Sequence, residues 1–353
     1  MPMPLSYSTP AIGIDTHVHL VEADNITVAY HKALMAGSIS GVPTISEAKI
    51  AKSLEKPLDA MFERNLRGIC LSPRARTMAG YGFPSHVALV LWSMLCNNNI
   101  GAAHKENPSC IFPVGMLPLY PGADTQPAVE EMHRCVEDMK FIGFNMVLDP
   151  AGGTWQGHPL WDPYWKPILK TAVELDVTLM IHGVEAANPH QHTTGANYLC
   201  ADINAFEQIL RSPEVIAEFS KIRFLLPHVG GVIGQIDRYR GLAFENNWLD
   251  PEALFGKNLW FDTCAYGPRS MWSAIITVLL KGLCFASESN GAVKIVDPKT
   301  GYRFDDTKQH LFQLLNLGII TERQLLYVLE IQPFKVFPRL RGLLPVRPDD
   351  QSK

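Results

Sequence analysis

Ile14-Asp15-Thr16-His17-Val18-His19-Leu20 is the stretch that decides the fold. An apolar run ends in two histidines at i and i+2, and alternate residues of a strand face the same side. Both imidazoles therefore leave one face of one strand end, close enough to share a metal ion. Taking this first run as Ala11–Leu20, similar runs recur at Gly68–Ser72, Ile111–Leu117, Phe141–Leu148, Thr178–His182, Arg223–His228, Asn258–Asp262 and Gly282–Ser287. They are short, apolar and not alternating, the pattern of parallel strands buried on both faces. Amphipathic stretches lie between several of them, at Pro127–Asp138, Pro163–Leu175 and Ala205–Ser220. Eight strand–helix units within 353 residues predict an α/β fold of the TIM type, a (β/α)8 barrel. An open doubly wound sheet fits less well: it carries a Gly-rich nucleotide turn after its first strand, where this chain has histidines.

The whole chain, 1–353, reads as one barrel domain with an insertion at roughly 22–62 and a C-terminal extension at roughly 321–353. The insertion holds the loop Gly37-Ser38-Ile39-Ser40-Gly41-Val42-Pro43 and then a helix over Ser46–Phe62 capped by Ser46. Placed after strand one, it would lie over the C-terminal barrel face, where barrel active sites sit. The tail from Thr321 to Leu344 reads as a closing helix with a Pro/Arg-rich end.

At 47% hydrophobic and 19% charged, the composition is that of a globular protein with a large core. A net charge of −4 without a long basic run argues against nucleic acid as a partner. No apolar run approaches the ~20 residues of a membrane span. Met1 to Ala11 has neither the basic nor the apolar region of a signal peptide, so a cytoplasmic protein is expected. The seven cysteines lack paired spacing and predict reduced, buried thiols.

The strand ends carry the chemistry. They offer His17 and His19, Arg74, Asn145 and Asp149, His182, His228, Asp262, and Glu288. A barrel gathers such residues at one mouth. Three neutral imidazoles and a carboxylate suit Zn²⁺, with Mn²⁺ as the alternative, and assign His17, His19, His182 and Glu288 as ligands of a single divalent ion. Strand four supplies Asn145 and no lysine to bridge two ions. His228 is left to act as a general acid or base. Arg74, Arg238 and Arg240 are guanidiniums suited to clamping a carboxylate bidentately. The polar stretch Asn188 to Tyr198, with Thr194 in it, reads as a substrate-binding loop leading into a helix.

These residues resemble the amidohydrolase superfamily, in particular its group of decarboxylases and hydratases. The resemblance runs from Asp15-Thr16-His17-Val18-His19 to Val336-Phe337-Pro338-Arg339-Leu340. It is carried by Ser72-Pro73-Arg74-Ala75, Cys96-Asn97-Asn98, Met116-Leu117-Pro118, Arg134-Cys135-Val136, Thr194-Gly195-Ala196, Phe261-Asp262-Thr263-Cys264 and Phe304-Asp305-Asp306-Thr307-Lys308. Most of the superfamily places an aspartate after strand eight, whereas the hydratase branch and a related carbon–carbon hydrolase place a glutamate, as here at Glu288. The resemblance implies a metal-dependent hydro-lyase adding water to an unsaturated oxo-polycarboxylate such as 4-oxalomesaconate, in aromatic-acid breakdown. A non-oxidative decarboxylase of an aromatic acid and a carbon–carbon hydrolase are the alternatives on the same frame. It further implies Glu288 and His228 as the catalytic pair, Arg74, Tyr198 and Arg240 on substrate carboxylates beside Asn145 and Thr194, and a homo-oligomer, dimer or higher. The segments after His228 and after Tyr266 depart from the hydratase pattern, which bears on the substrate and not on the ligand set.

Overall fold

A computed structural model of the protein describes residues 11–20, 25–153, 157–184, 194–264, 268–278, 280–289, 295–299, 301 and 303–344. Its strands are β1 Ile14–Leu20, β2 Gly68–Pro73, β3 Ile111–Met116, β4 Gly143–Met146, β5 Thr178–Ile181, β6 Phe224–Leu226, β7 Leu259–Asp262 and β8 Leu283–Cys284. They form one eight-stranded sheet in sequence order, every neighbour parallel. The chain beyond β8 returns to β1: Thr16 N donates to Phe285 O at 3.0 Å and Glu288 N to His17 O at 2.9 Å. The barrel closes at the two strands that carry the histidine pair and the glutamate.

Each strand alternates faces although its sequence does not alternate polarity. Ile69, Leu71, Phe144, Leu179, Phe224 and Phe261 point outward into the core shared with the helices. Cys70, Phe112, Val114, Met180, Leu225 and Trp260 fill the barrel interior. Phe334, Val336, Phe337 and Leu340 of the C-terminal segment plug the lower end. The interior is thus packed, and only its upper end is left for chemistry.

The insertion contains a helix that sequence reasoning passed over, Asn25–Met35. Its buried stripe is Thr27, Tyr30 and Leu34, but Ile26, Val28 and Met35 are exposed and blur the pattern. Tyr30 and Leu34 pack with Met116, Val147 and Val184, which end or follow β3, β4 and β5. The insertion therefore sits against the C-terminal rim. Its second helix runs Glu47–Glu63; Ser46 has the N-cap backbone but makes no side-chain capping bond, and its carbonyl accepts from Lys49 N and Ile50 N instead. The stretch expected as one helix over Ala205–Ser220 is two, Thr194–Leu210 and Pro213–Glu218. Pro213 cannot continue the first helix and disfavours helical backbone before it, so the chain restarts with Pro213 in the first turn. Helix His86–Glu106 is buried on most sides, and so gave no amphipathic signal. All seven cysteines are free; Cys110 is half-buried and Cys200 exposed, departing from the burial expected of all of them. Among the described residues no helix is long and apolar enough to cross a membrane.

One buried lysine ties the insertion to the barrel. Lys308 Nζ donates to Ile12 O at 2.8 Å, Arg64 O at 2.7 Å and Asn65 O at 3.0 Å. All three carbonyls lie where the chain enters β1 or leaves the helix Glu47–Glu63. Lys308→Met would strand Ile12 O and Arg64 O without a donor, while Asn65 O keeps its bond from Ile12 N, which predicts a loss of about 3 kcal/mol in stability, read by chemical denaturation. A loss below ~1 kcal/mol would mean that water replaces the ammonium.

Candidate active site

Three imidazoles converge at the upper end of the barrel. Ring centroids of His17 and His19 lie 4.7 Å apart, His17 and His182 4.9 Å, and His19 and His182 5.3 Å. Each ring is anchored through its Nδ1. His17 Nδ1 is 3.0 Å from Asp262 Oδ2, His19 Nδ1 is 3.0 Å from Pro73 O, and His182 Nδ1 is 2.6 Å from Gly183 O. A carbonyl or carboxylate can only accept, so it places the proton of a neutral ring on Nδ1 and leaves Nε2 as a lone pair. His17 Nε2 and His19 Nε2 then face each other at 3.1 Å. Two lone pairs at that distance repel unless a cation stands between them.

Glu288 completes the set. Its Oε1 is 3.9 Å from His19 Nε2, and one donor atom from each of His17, His19, His182 and Glu288 lies within 4.8 Å of the others. Neutral imidazoles and a carboxylate are the donor chemistry of Zn²⁺ and its first-row neighbours. The electrostatic environment agrees. Burial, then the neighbouring His17, pushes the His19 imidazole down to about 3. The same two causes push His182 well below its ordinary value. Burial works to raise the Glu288 carboxyl, but the hydrogen bond and charge of His228, with His17 and His19, hold it below the usual range. Neutral rings and an ionised carboxylate are the forms that bind a metal.

His228 stands beside this set. Its Nδ1 is 2.7 Å from Asp202 Oδ2 and its Nε2 is 3.4 Å from Glu288 Oε2. Asp262 serves two site residues at once, with Oδ2 on His17 Nδ1 and Oδ1 accepting from His228 N at 3.0 Å. Burial opposes the charged form of His228, while Cys264 and Asp202 favour it and raise the imidazole above its ordinary value. Sequence reasoning noted Asp262 as a strand end and missed Asp202 altogether. Asp202 lies inside a helix, where no spacing rule links it to a histidine on β6.

The backbone is strained where it matters. His228, Val229 and Glu288 have φ of 56°, 50° and 50°, in the left-handed region that a β-branched residue rarely enters. Each such residue costs about 1–3 kcal/mol unless its surroundings over-determine it. Here Asp262 Oδ1 holds the His228 amide, and His17 O holds the Glu288 amide.

The other expected site residues divide. Asn145 is 1% exposed; its Nδ2 donates to Gly115 O at 3.2 Å, and its Oδ1 has no hydrogen-bond partner among the described residues. That oxygen is an acceptor available to a hydroxyl or a water. Arg74 follows β2 directly and is half-buried. Arg240 is not brought to this set: its Nη1 lies 3.3 Å from Glu252 Oε1 and its Nε 3.6 Å from Asp250 Oδ1, and Arg238 is exposed. Arg240 falls on the same side of the helix Ile236–Asn246 as buried Ile236 and Ala243 and is half-buried there, where Asp250 and Glu252 claim it. Thr194 and Tyr198 belong by backbone to the helix Thr194–Leu210; their side chains, and residues 185–193 entirely, lie outside the described residues. Several motifs behind the resemblance are architectural. Asn97 Oδ1 accepts from Met116 N at 2.9 Å, its Nδ2 donates to Glu131 Oε1 at 2.7 Å, and Arg134 donates to Asn98 Oδ1 at 2.8 Å.

Residues 14–320 match the family model described as Amidohydrolase. The chain is 38% identical over 307 residues to a 2-keto-4-carboxy-3-hexenedioate hydratase from Sphingobium sp. (strain NBRC 103272 / SYK-6), covering 86% of this chain and 88% of that one. It superposes on the crystal structure of 4-oxalomesaconate hydratase from Rhodopseudomonas palustris with a TM-score of 0.84 at 31% identity, over 94% of this chain and 97% of that one. A dihydroxybenzoic acid decarboxylase from Polaromonas sp. JS666, solved with bound manganese and 2-nitroresorcinol, shares the fold at a TM-score of 0.65 and 13% identity, over 97% and 99% of the two chains.

Proposed function

This chain belongs to the amidohydrolase family, and from that premise we propose that it is a metal-dependent hydratase, adding water to the activated double bond of an unsaturated oxo-polycarboxylate. The substrates named for its two hydratase relatives, 4-oxalomesaconate and 2-keto-4-carboxy-3-hexenedioate, are the first candidates. The observation that carries the reading is the placement of Glu288. A glutamate follows β8, with one carboxylate oxygen toward His19 Nε2 and the other toward His228 Nε2.

His17, His19, His182 and Glu288 would hold the ion, with Zn²⁺ favoured by the nitrogen-rich donor set and Mn²⁺ as the alternative. A divalent ion there supplies positive charge and Lewis acidity to the reacting groups. Glu288 takes a proton from the attacking water as its oxygen bonds to the electrophilic carbon. His228, oriented by Asp202, moves a proton at the opposite end of the double bond through its Nε2. Asn145 Oδ1 accepts from the attacking water and then from the hydroxyl it becomes. Arg74, with Tyr198, binds the substrate carboxylates and fixes the double bond against Glu288.

Turnover of 4-oxalomesaconate, followed by loss of its absorbance with the zinc-loaded protein, tests the reading. Release of carbon dioxide from an aromatic acid, with the oxo-acid untouched, would overturn it in favour of decarboxylation. Arg74→Met is expected to raise KM for the polycarboxylate by about 10–100-fold, the worth of a charge-assisted hydrogen-bond pair, with a much smaller effect on an analogue lacking one carboxylate. Equal effects on both compounds would make Arg74 structural.

A further inference from the structure

The turn that carries Glu288 is held from beneath by a side chain of the insertion. Arg64 caps the C-terminal end of the helix Glu47–Glu63 and is 8% exposed. Its Nη1 donates to Ser287 Oγ at 2.8 Å and its Nη2 lies 3.1 Å from Asp305 Oδ2. Asp305 is held on its other side by Arg303, whose Nε donates to Asp305 Oδ1 at 2.9 Å. Ser287 Oγ in turn donates to Asp15 Oδ2 at 2.5 Å and accepts from Ser289 N at 3.1 Å. A hydroxyl has one proton and two lone pairs, so all three valences of Ser287 are committed and its rotor is fixed. Asp15 Oδ1 accepts from Ser287 N at 3.0 Å and from His17 N at 3.2 Å, binding the two metal-site strands to each other.

Glu288 sits between Ser287 and Ser289 with its strained left-handed backbone. Without the ties on both flanks, that backbone would relax and carry the carboxylate away from His19 and His228. We propose that Arg64, acting through Ser287 and Asp15, is a positioning residue for the Glu288 carboxylate, so that the insertion sets the geometry of the metal site from below as well as covering its rim. The proposal rests on the reading of Glu288 as a metal ligand.

The test measures zinc affinity, by competition with a chromogenic chelator, together with kcat and KM, for Arg64→Met, Arg64→Lys, Ser287→Ala and Glu288→Gln. Partners of metal ligands typically carry about 10–100-fold in affinity. Arg64→Met and Ser287→Ala are each expected to lose that much, with kcat falling and KM little changed. Arg64→Lys keeps the charge but cannot bridge Ser287 and Asp305, and recovers only part of the loss. Ser287→Ala is expected to cost much less affinity in the Glu288→Gln background than on its own, because the weaker amide ligand has less to lose, a non-additivity that general destabilisation would not produce. Ser287→Ala decides the matter if Arg64→Met does not fold. Unchanged affinity and kcat in Ser287→Ala and Arg64→Lys, alongside a crippled Glu288→Gln, would overturn the positioning role alone. Unchanged zinc affinity in Glu288→Gln would overturn the ligand reading and the proposal with it.

Discussion

Glu288→Gln is expected to lower kcat by about 10²–10⁴-fold, the range supplied by a positioned general base, and to leave the fold intact. The change is isosteric. The backbone tie from Glu288 N to His17 O does not involve the side chain, so the turn keeps its shape. What is lost is the negative charge between His19 and His228 and the group that receives a proton from water. An amide can still offer an oxygen to an ion, so metal would bind more weakly without being abolished. Weak binding can be overcome with excess zinc; a missing base cannot. The expected signature is therefore a kcat that stays low at saturating metal, with KM for the polycarboxylate little altered because Arg74 and Asn145 are untouched. Recovery of turnover on zinc addition would reduce Glu288 to a ligand and pass the proton transfer to His228. Near-normal turnover without added zinc would remove Glu288 from the chemistry.

The barrel was legible because parallel strands buried on both faces leave contiguous apolar runs, and because the polar residues break those runs only at the ends where side chains meet solvent and substrate. The candidate ligand cluster was legible for the same reason. His17 and His19 lie within β1, His182 directly follows β5 and Glu288 lies in the segment after β8, and closure of the barrel brings these positions together whatever their separation in sequence. Residues that act from helices were not legible. Asp202 orients His228 from the helix Thr194–Leu210, and Arg64 reaches Ser287 from the end of the inserted helix. In each case the contact depends on how a helix packs on the barrel, which no periodicity records. Arg240 shows the converse. A guanidinium near a Gly-rich loop suits an anion site, but Asp250 and Glu252 are near in sequence and claim it first.

Removal of the metal with a chelator is expected to lower turnover by about 10³-fold or more, since Lewis-acid charge stabilisation is worth several kcal/mol and each ~1.4 kcal/mol is a factor of ten. The apo protein should remain folded. His17, His19 and His182 are each held through Nδ1 by Asp262, Pro73 O and Gly183 O, and these bonds do not need the ion. The three lone pairs would then face one another without a cation, so the apo form pays in electrostatic repulsion for a site built in advance. Metal should therefore raise the melting temperature as well as restore turnover; at a thousandfold excess over Kd the stabilisation is about 4 kcal/mol. His17→Ala should remove both effects together. Zn²⁺ is expected to restore activity at lower concentration than Mn²⁺, because three imidazole nitrogens favour the borderline-soft ion and a harder ion prefers oxygen. Full activity in protein shown by elemental analysis to hold no metal would leave the convergence of three imidazoles without a chemical purpose, and the proposed mechanism would have to be rebuilt around His228 and Glu288 alone.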